Sequence, residues 1–595
     1  MPRSAVRIRS RLVMVAVIAV AALFVGRLVV IQFIDADAIN AEAEGRRGVT
    51  ITQQGLRGDI VASDGTVLAD SSDRFDVTAS PKNAESFERT LEDGSKVTVP
   101  FDQAIAEVSR ATGVPENDMR ASLASALEDN PDSEFAYLAR RVTYDQYMAV
   151  RALKVPWIYF EHHPVRTYPN GALAGNLTGF VGADGEPLAG LELGENDCLA
   201  GQDGKVTYER GADGVPIPGS EVTEQRMQPG GDLQLSIDPA IQYRAQQVLA
   251  TEATRLGLPS GHVTVMEVRT GRIVALAEYP SLDPNNPELV APEMRGSRVF
   301  TAPFEPGSTL KPLTVAMAFD RGVATVDEVL VVPDTFNSPD GASFSDDQPH
   351  PPEKLTTAGI IAESSNVGIG MIGERVPAAD RYNYLHAAGL GRPTEIGFLG
   401  EESGTVHPYT EWDPQTNYAT MFGQGLEVTG VQMASIYQML GNGGVRLPVS
   451  LVDGCRTGEG TLEPVTEASG EPRRVVSPEA ASQALSTIEA AAQSGSNRDT
   501  VKIDGYRVGV KTGTAQLSDG QGQYVAGRYI ISMAGIAPID DPQYVVTVTF
   551  MPGATMTPSS ATAPTWHDIM AYTLQSRGVA PSPEPWQDIP VTATP

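Results

Sequence analysis

The chain is 595 residues long, enough for about two to four domains with length to bury a core. It is 41% hydrophobic and 20% charged, as in globular proteins, and its 58 glycines and 44 prolines imply many turns. The net charge of −30 argues against nucleic-acid binding, which needs Lys and Arg to displace phosphate counterions, and against a body lying flat on anionic lipid. Two cysteines, Cys198 and Cys455, are too few for a disulfide scaffold or a thiolate metal site. The adjacent pair His162 and His163 would point apart on either a strand or a helix, and no carboxylate or cysteine stands at ligand spacing, so no metal is expected.

At the N-terminus Arg3, Arg7, Arg9 and Arg11 precede an apolar run from Leu12 to Ile34, interrupted in character by Arg27 and Gln32. The run is long enough to cross a bilayer, and the arginines predict that residues 1–11 stay cytoplasmic with the rest of the chain outside. Ala36-Asp37-Ala38 offers a small-x-small cleavage site, but the apolar run continues past Arg27, which favours an uncleaved anchor. Most of the chain is then expected outside the cytoplasm, away from ATP and NAD.

Residues 35–230 read as one non-catalytic module. Gly55 to Ala69 alternates around Asp64-Gly65 and predicts a hairpin. Ala104 to Leu127 has helical spacing, and Ala136 to Leu153 is expected to continue in kind. From Tyr168 to Gly219 the chain is glycine-rich and irregular, which reads as a connection without its own core. The character shifts near Gly231. Asp232 to Asp238 reads as a strand, and Pro239 to Gly257 as an amphipathic helix with proline at its start and glycine at its end. HVTVMEV and RIVALAE form a second hairpin around Arg-Thr-Gly. Helical stretches follow, including Thr309 to Phe319 and Gly430 to Leu440, and then the strands YRVGVKTG, YIISMAGIA and YVVTVTF. Strands first and last with helices between predict an α+β domain over 231–577, its antiparallel sheet closed from both chain ends. Residues 578–595, rich in proline, read as a disordered tail.

Three stretches carry candidate chemistry. In EPGSTLKP, Ser308 and Lys311 are three residues apart after Pro-Gly and before an apolar run. Ser308 suits a helix N-cap. The same spacing puts Lys311 on its face, where a lysine made neutral by burial or nearby cations can take a hydroxyl proton. A helix N-terminus also favours a developing oxyanion. Ser364-Ser365-Asn366 follows the apolar run AGIIAE and puts a hydroxyl and an amide at a helix junction. Lys511-Thr512-Gly513-Thr514 ends the strand YRVGV, with Lys511 and Gly513 on one face and Thr512 and Thr514 on the other. Gly513 would let a ligand backbone lie close to the strand.

Each stretch alone has an ordinary structural reading. Together, in the order Ser-x-x-Lys, Ser-x-Asn, Lys-Thr-Gly, they resemble the penicillin-recognising serine acyltransferases. The flanking stretches RGDIVASDGTVLA, RTYPNGALAGNLTGFVG, AGLE, LAGQDG and FGQGLEVTGVQMASIYQMLGNGG resemble the class B penicillin-binding proteins over nearly the whole chain. The arginine run, the anchor and RLVVIQ resemble the division-specific, FtsI-like branch. The resemblance implies an antiparallel five-stranded sheet flanked by helices, and a D,D-transpeptidase that cross-links stem peptides at the septum without cofactor or metal. Ser308 would be the nucleophile and Lys311 its base. Ser364 would relay a proton, and Asn366 would orient the substrate amide. Lys511, Thr512, Gly513 and Thr514 would bind the substrate carboxylate, with the N–H groups of Ser308 and Thr514 as the oxyanion hole.

Implied partners are D-Ala-D-Ala stem peptides and an acceptor amine, β-lactams, a polytopic SEDS-type glycosyltransferase and other division proteins, with Arg27 a candidate contact. Ala62-Ser63 and Ser297-Arg298 depart from the family's usual Asp-Arg and Asn-Arg. Cys198 and Cys455 would sit in an oxidising compartment and could pair, though sequence sets no distance between them. A β-lactamase would need a deacylating carboxylate, for which EWDPQTN has the wrong spacing, and a D,D-carboxypeptidase would usually lack so large an N-terminal module. The remaining alternatives are a non-catalytic scaffold and an elongation-type class B enzyme.

Overall fold

The computed structural model describes residues 3–34, 48–91, 93–209, 220–458, 460–464, 470–518, 523–553 and 557–593. Its chain divides into two compact units that interleave in sequence: Met1–Leu56 with Asp73–Pro164 and Gly201–Gly230, and Arg57–Ser72 with Val165–Ala200 and Gly231–Pro595. At the N-terminus the helix Arg3–Val29 runs into a wider turn, Val30–Ile34. Its stretch Arg11–Phe33 is long and apolar enough to cross a membrane.

The first unit holds two three-stranded antiparallel sheets. One is Gly48–Gln53, Gly204–Glu209 and Val222–Gln225; the other has Phe75–Ala79 between Ala136–Val142 and Ile158–His162. Val77, Ile105, Val108, Met119, Leu138 and Trp157 share its core. The helical stretch expected over Ala104–Leu127 is two helices, Phe101–Thr112 and Glu116–Asp129. Gly113 closes the first in a left-handed conformation and Pro115 starts the second. The helix expected over Ala136–Leu153 is half strand. Ala136–Val142 pairs with Phe75–Ala79, and a helix begins only at Tyr144, where Thr143 and Gln146 cap each other's backbone N–H groups.

The second unit is built on one antiparallel sheet: β1 Gly261–Glu267, β2 Ile273–Tyr279, β3 Gly509–Ser518, β4 Tyr524–Ala537 and β5 Tyr544–Phe550, in the spatial order β2-β1-β5-β4-β3. Alternate residues of one strand serve opposite layers. Ile531 and Met533 pack with α1 (Pro239–Leu256) and a late helix Ala563–Ser576, whereas Ile530, Ala534 and Ile536 join the core on the other face. That second layer holds α2 (Lys311–Asp320), α3 (Thr357–Ala362), α4 (Asn366–Gly373), α5 (Gly430–Gly441) and α6 (Pro478–Ser494). With both faces covered, every residue of β5 is buried, which accounts for its unbroken YVVTVTF.

The hairpin expected over Gly55–Ala69 forms, with Ile60–Val61 against Val67–Ser72 and Gly65 left-handed in the turn. It belongs to the same unit as the five-stranded sheet. The stretch 168–219, expected to be a connection without its own core, places Leu177, Leu191 and Leu199 of its part up to Ala200 in the main hydrophobic cluster. Its anchor is the fully buried Glu192. Arg57 Nε donates to Oε2 at 2.6 Å, Arg166 Nε to Oε1 at 2.7 Å, and Tyr168 Oη to Oε1 at 3.3 Å. The stretches RGD, RTYPN and AGLE thus meet in one ion knot. Beside it Cys198 and Cys455 form a disulfide with Cα atoms 5.9 Å apart, and a Cβ on Gly231 would come within 2.4 Å of Cys455 Sγ.

The residues after Arg577, expected to be disordered, are packed through their backbone. Val591 O accepts from Thr356 N, Pro590 O from Thr356 Oγ1 at 2.6 Å, and Ser582 N donates to Gly505 O. A Cβ on Gly359 of α3 would lie 1.8 Å from Val591 O, so that helix is notched for the tail.

Candidate active site

The turn that carries Ser308 is shaped by two glycines. Gly307 has φ 56°, and a Cβ there would sit 2.7 Å from Thr514 O of β3. Gly307 N donates to Gly423 O at 2.8 Å, and a Cβ on Gly423 would fall 2.1 Å from Gly307 O. Nothing larger fits at either position, which explains both the Pro-Gly of EPGSTLKP and the FGQG further on. Ser308 lies in a 3-10 turn, Gly307–Leu310, and α2 begins only at Lys311. Its side chain caps neither element, so the helix-capping reading fails. Pro312 falls in the first turn of α2, where a missing N–H costs little.

Lys311 is fully buried. Its Nζ donates to Ser364 O at 2.5 Å and Asn366 Oδ1 at 2.8 Å, with Ser364 Oγ at 3.5 Å. Lys511, also buried, donates from Nζ to Ser364 Oγ at 2.8 Å and Thr512 O at 3.0 Å. Ser364 Oγ therefore bridges the two lysines. Its residue is left-handed, φ 60°, an uncommon and strained state for serine, and both its carbonyl and hydroxyl oxygens reach Lys311. Among the described residues neither lysine has a carboxylate at ion-pair distance, and Ser308 Oγ makes no hydrogen bond to Lys311.

Burial and then the neighbouring Lys511 charge drive the Lys311 ammonium well below its ordinary range, against a smaller opposing pull from Asp346. Burial alone takes Lys511 down to about 7. On β3, Lys511 and Gly513 are buried, Thr512 is half-buried and Thr514 is exposed, the alternation expected of a strand. Gly513 is required for a reason the sequence did not disclose. A Cβ there would meet Ser532 Oγ at 2.4 Å and Pro306 O at 2.7 Å, so the glycine admits the turn that carries Ser308.

Two residues beyond the three motifs shape the site. Asp346 accepts from the N–H groups of Asn366 and Val367 and from Ser365 Oγ. Glu305 accepts from Gly425 N and Tyr524 Oη. Glu305 was visible only as part of EPGSTLKP, and Asp346 sits in an irregular stretch with no spacing to betray it.

A serine between two buried, carboxylate-free lysines beside the edge strand of such a sheet is a site built for acyl transfer. Residues 261–571 match the penicillin binding protein transpeptidase domain, and residues 52–235 match the penicillin-binding protein dimerisation domain. The chain belongs to the class B penicillin-binding proteins. It is similar, at 33% identity, to penicillin-binding protein PbpB of Mycolicibacterium smegmatis, over 97% of this chain and 92% of that protein. At 30% identity it is similar to peptidoglycan D,D-transpeptidase FtsI of Escherichia coli, over 80% of each. Among solved structures, a peptidoglycan synthetase from Bifidobacterium adolescentis superposes with a TM-score of 0.71 at 28% identity, over 92% of this chain and all of that one. Penicillin binding protein 3 from Mycobacterium tuberculosis, in complex with aztreonam, gives 0.68 at 26%, over 91% and 100%.

Proposed function

We propose that this protein is a division-type peptidoglycan D,D-transpeptidase working through a Ser308 acyl-enzyme. The observation that carries the reading is the convergence of two buried lysines on Ser364 Oγ next to the Ser308 turn. Ser308 Oγ attacks the penultimate D-Ala carbonyl of a stem pentapeptide, its proton passing to Lys311, which burial keeps ready to accept it. The developing oxyanion takes hydrogen bonds from the N–H groups of Ser308 and Thr514. The C–N bond breaks and D-Ala leaves with a proton relayed through Ser364. An amine of a neighbouring stem then attacks the ester, forms the new amide and returns the proton to Ser308. Asn366 orients the substrate amide, while Lys511, Thr512, Gly513 and Thr514 hold the terminal carboxylate, whose charge offsets the desolvation of Lys511.

The N-terminal helix is the anchor, with the arginine-rich end cytoplasmic and the catalytic unit outside. β-Lactams acylate Ser308 in place of the stem. Resemblance supports a polytopic SEDS-type glycosyltransferase and other division proteins as partners. The test is labelling of the full-length protein in detergent by a fluorescent penicillin, with Ser308→Ala as control. A stable adduct lost in the control is expected. Rapid turnover would mean a β-lactamase, and no labelling would leave a scaffold.

A further inference from the structure

The turn that carries Ser364 and Asn366 is held from outside by a carboxylate that touches no reacting group. Asp346 follows the short strand Ser343–Ser345 and its side chain is 9% exposed. Oδ1 accepts from Asn366 N at 2.5 Å and Val367 N at 3.0 Å; Oδ2 accepts from Ser365 Oγ at 2.7 Å and faces His350 Nε2 at 3.1 Å. One carboxylate thus takes up two of the free N–H groups at the start of α4 and the side chain of the residue before it, whose Oγ caps a third at Gly368. The same strand end fixes the neighbouring amide. Asn366 Nδ2 donates to Ser345 O at 3.1 Å, which leaves Oδ1 turned to Lys311 Nζ at 2.8 Å.

His350 completes the arrangement. Its Nδ1 faces Pro351 O at 2.8 Å and its Nε2 faces Asp346, so both ring nitrogens meet acceptors. Only the imidazolium donates to both at once. We infer that Asp346, braced by His350, is a positioning residue for acyl transfer, fixing Ser365 and the start of α4 so that the Ser364 and Asn366 side chains stay presented to Lys311. The inference rests on the acyl-transfer reading of the site.

Charge gives the brace a signature that packing alone would not have. Lys311 faces Lys511, which disfavours its proton, and Asp346, which favours it. His350 faces Asp346 and Glu353, and the Pro351 carbonyl first, then these two charges, raise its affinity for a proton against burial. Replacing Asp346 by Asn removes the one charge that supports the Lys311 ammonium. The base is then neutral to lower pH, although the turn is looser.

The experiment measures the second-order rate of fluorescent-penicillin labelling of full-length protein in detergent from pH 5 to 9. In Asp346→Asn the plateau is expected to fall roughly 10- to 100-fold, the worth of hydrogen bonds to a charged group expressed as a rate, while the acid limb moves to lower pH. His350→Gln is expected to slow labelling severalfold at pH values where wild-type His350 is charged and to merge with wild type above them. Wild-type rate and limb in Asp346→Asn would overturn the inference. So would a lowered plateau with an unmoved limb, or a His350→Gln effect that is flat in pH. If Asp346→Asn fails to fold, as its thermal melt would report, His350→Gln decides alone. Failure of wild type to label at Ser308 would instead strike the acyl-transfer reading, so the two failures are distinct.

Discussion

Two sites in the same unit bury charge in opposite ways. The Glu192 knot closes one fully buried carboxylate with two arginines and a tyrosine, and Asn196 Oδ1 accepts from Arg57 Nη1 at 2.6 Å. The catalytic pocket buries two lysines and gives them hydroxyl, carbonyl and amide oxygens but no carboxylate among the described residues. Desolvation opposes both. Where a partner charge compensates it, the result is a fastener between distant segments. Where no carboxylate pairs with the charge and Asp346 offsets the desolvation only in part, the proton becomes removable, as a lysine general base requires.

Removing that lysine is the sharpest way to test the contrast. Lys311→Met is expected to cut penicillin labelling by roughly 10²- to 10⁴-fold, the usual worth of a general base. The variant should nonetheless stay folded with about wild-type stability, because a hydrophobic side chain of similar length replaces a buried lysine that no carboxylate pairs. The native lysine binds its proton less readily than the unfolded one, so stability rises with pH as the pH approaches the unfolded lysine's range, and the variant should lose that slope. Labelling near the wild-type rate would take the base role from Lys311.

The knot should answer the other way. Glu192→Gln leaves two buried guanidinium groups facing an amide and is expected to cost about 3–5 kcal/mol in denaturant unfolding. Labelling per folded molecule should not change. A melt indistinguishable from wild type would make the knot ornamental.

The disulfide can sharpen that result. It closes 257 residues of sequence and lies next to the knot, since Cys198 is two residues from Asn196. Cys198→Ser with Cys455→Ser is expected to cost about 2–4 kcal/mol. Combined with Glu192→Gln it should fall short of the sum, because both ties act on residues 165–200, the knot through Arg57 and the disulfide through Cys455. Strict additivity would separate them.

The three motif stretches were legible together, through their order and their resemblance to the penicillin-recognising acyltransferases, whereas the spacing of each alone allowed an ordinary structural reading. The five-stranded sheet was legible from alternation and from YVVTVTF. What could not be read depends on partners far away in sequence. Ser364 is left-handed where α3 ends, its N–H and that of Ser365 donating back to Ile361 O and Ile360 O, but the two lysines that meet its hydroxyl come from far along the chain. Arg57, Arg166 and Glu192 were visible as family-like stretches, yet nothing local said that they touch. Ala136–Val142 has apolar residues that suit a helix as well as a strand, and pairing with Phe75–Ala79 decides it. The proline-rich end shows no periodicity because it binds by backbone groups, into a notch made by Gly359.

A third buried charge lies between the two extremes and supplies the smallest effect. Glu278, on β2 and fully enclosed, accepts from Ser297 Oγ at 2.5 Å and Arg298 N at 2.7 Å. It has donors, as Glu192 does, but no bonded cation, and burial pushes its carboxyl up to about 7. The native carboxyl therefore holds a proton that the unfolded one has released, and stability should fall as pH rises from about 4.5 to about 7, by at most ~3 kcal/mol. Directly across the strand pair, His262 works in the opposite direction. Burial and the Arg298 charge press it down to about 3, so its refusal of a proton makes stability rise with pH over an overlapping range. The two slopes partly cancel in wild type, and a bare pH–stability curve would hide both. Glu278→Gln cannot titrate and leaves His262 in place. Whatever constant offset the lost acceptor adds, the gap between the two curves should change by about 2–3 kcal/mol from pH 5 to pH 8, in favour of Gln at the higher pH. Parallel curves would mean that Glu278 is ionised throughout, held by Ser297 and Arg298 as firmly as Glu192 is held by its arginines.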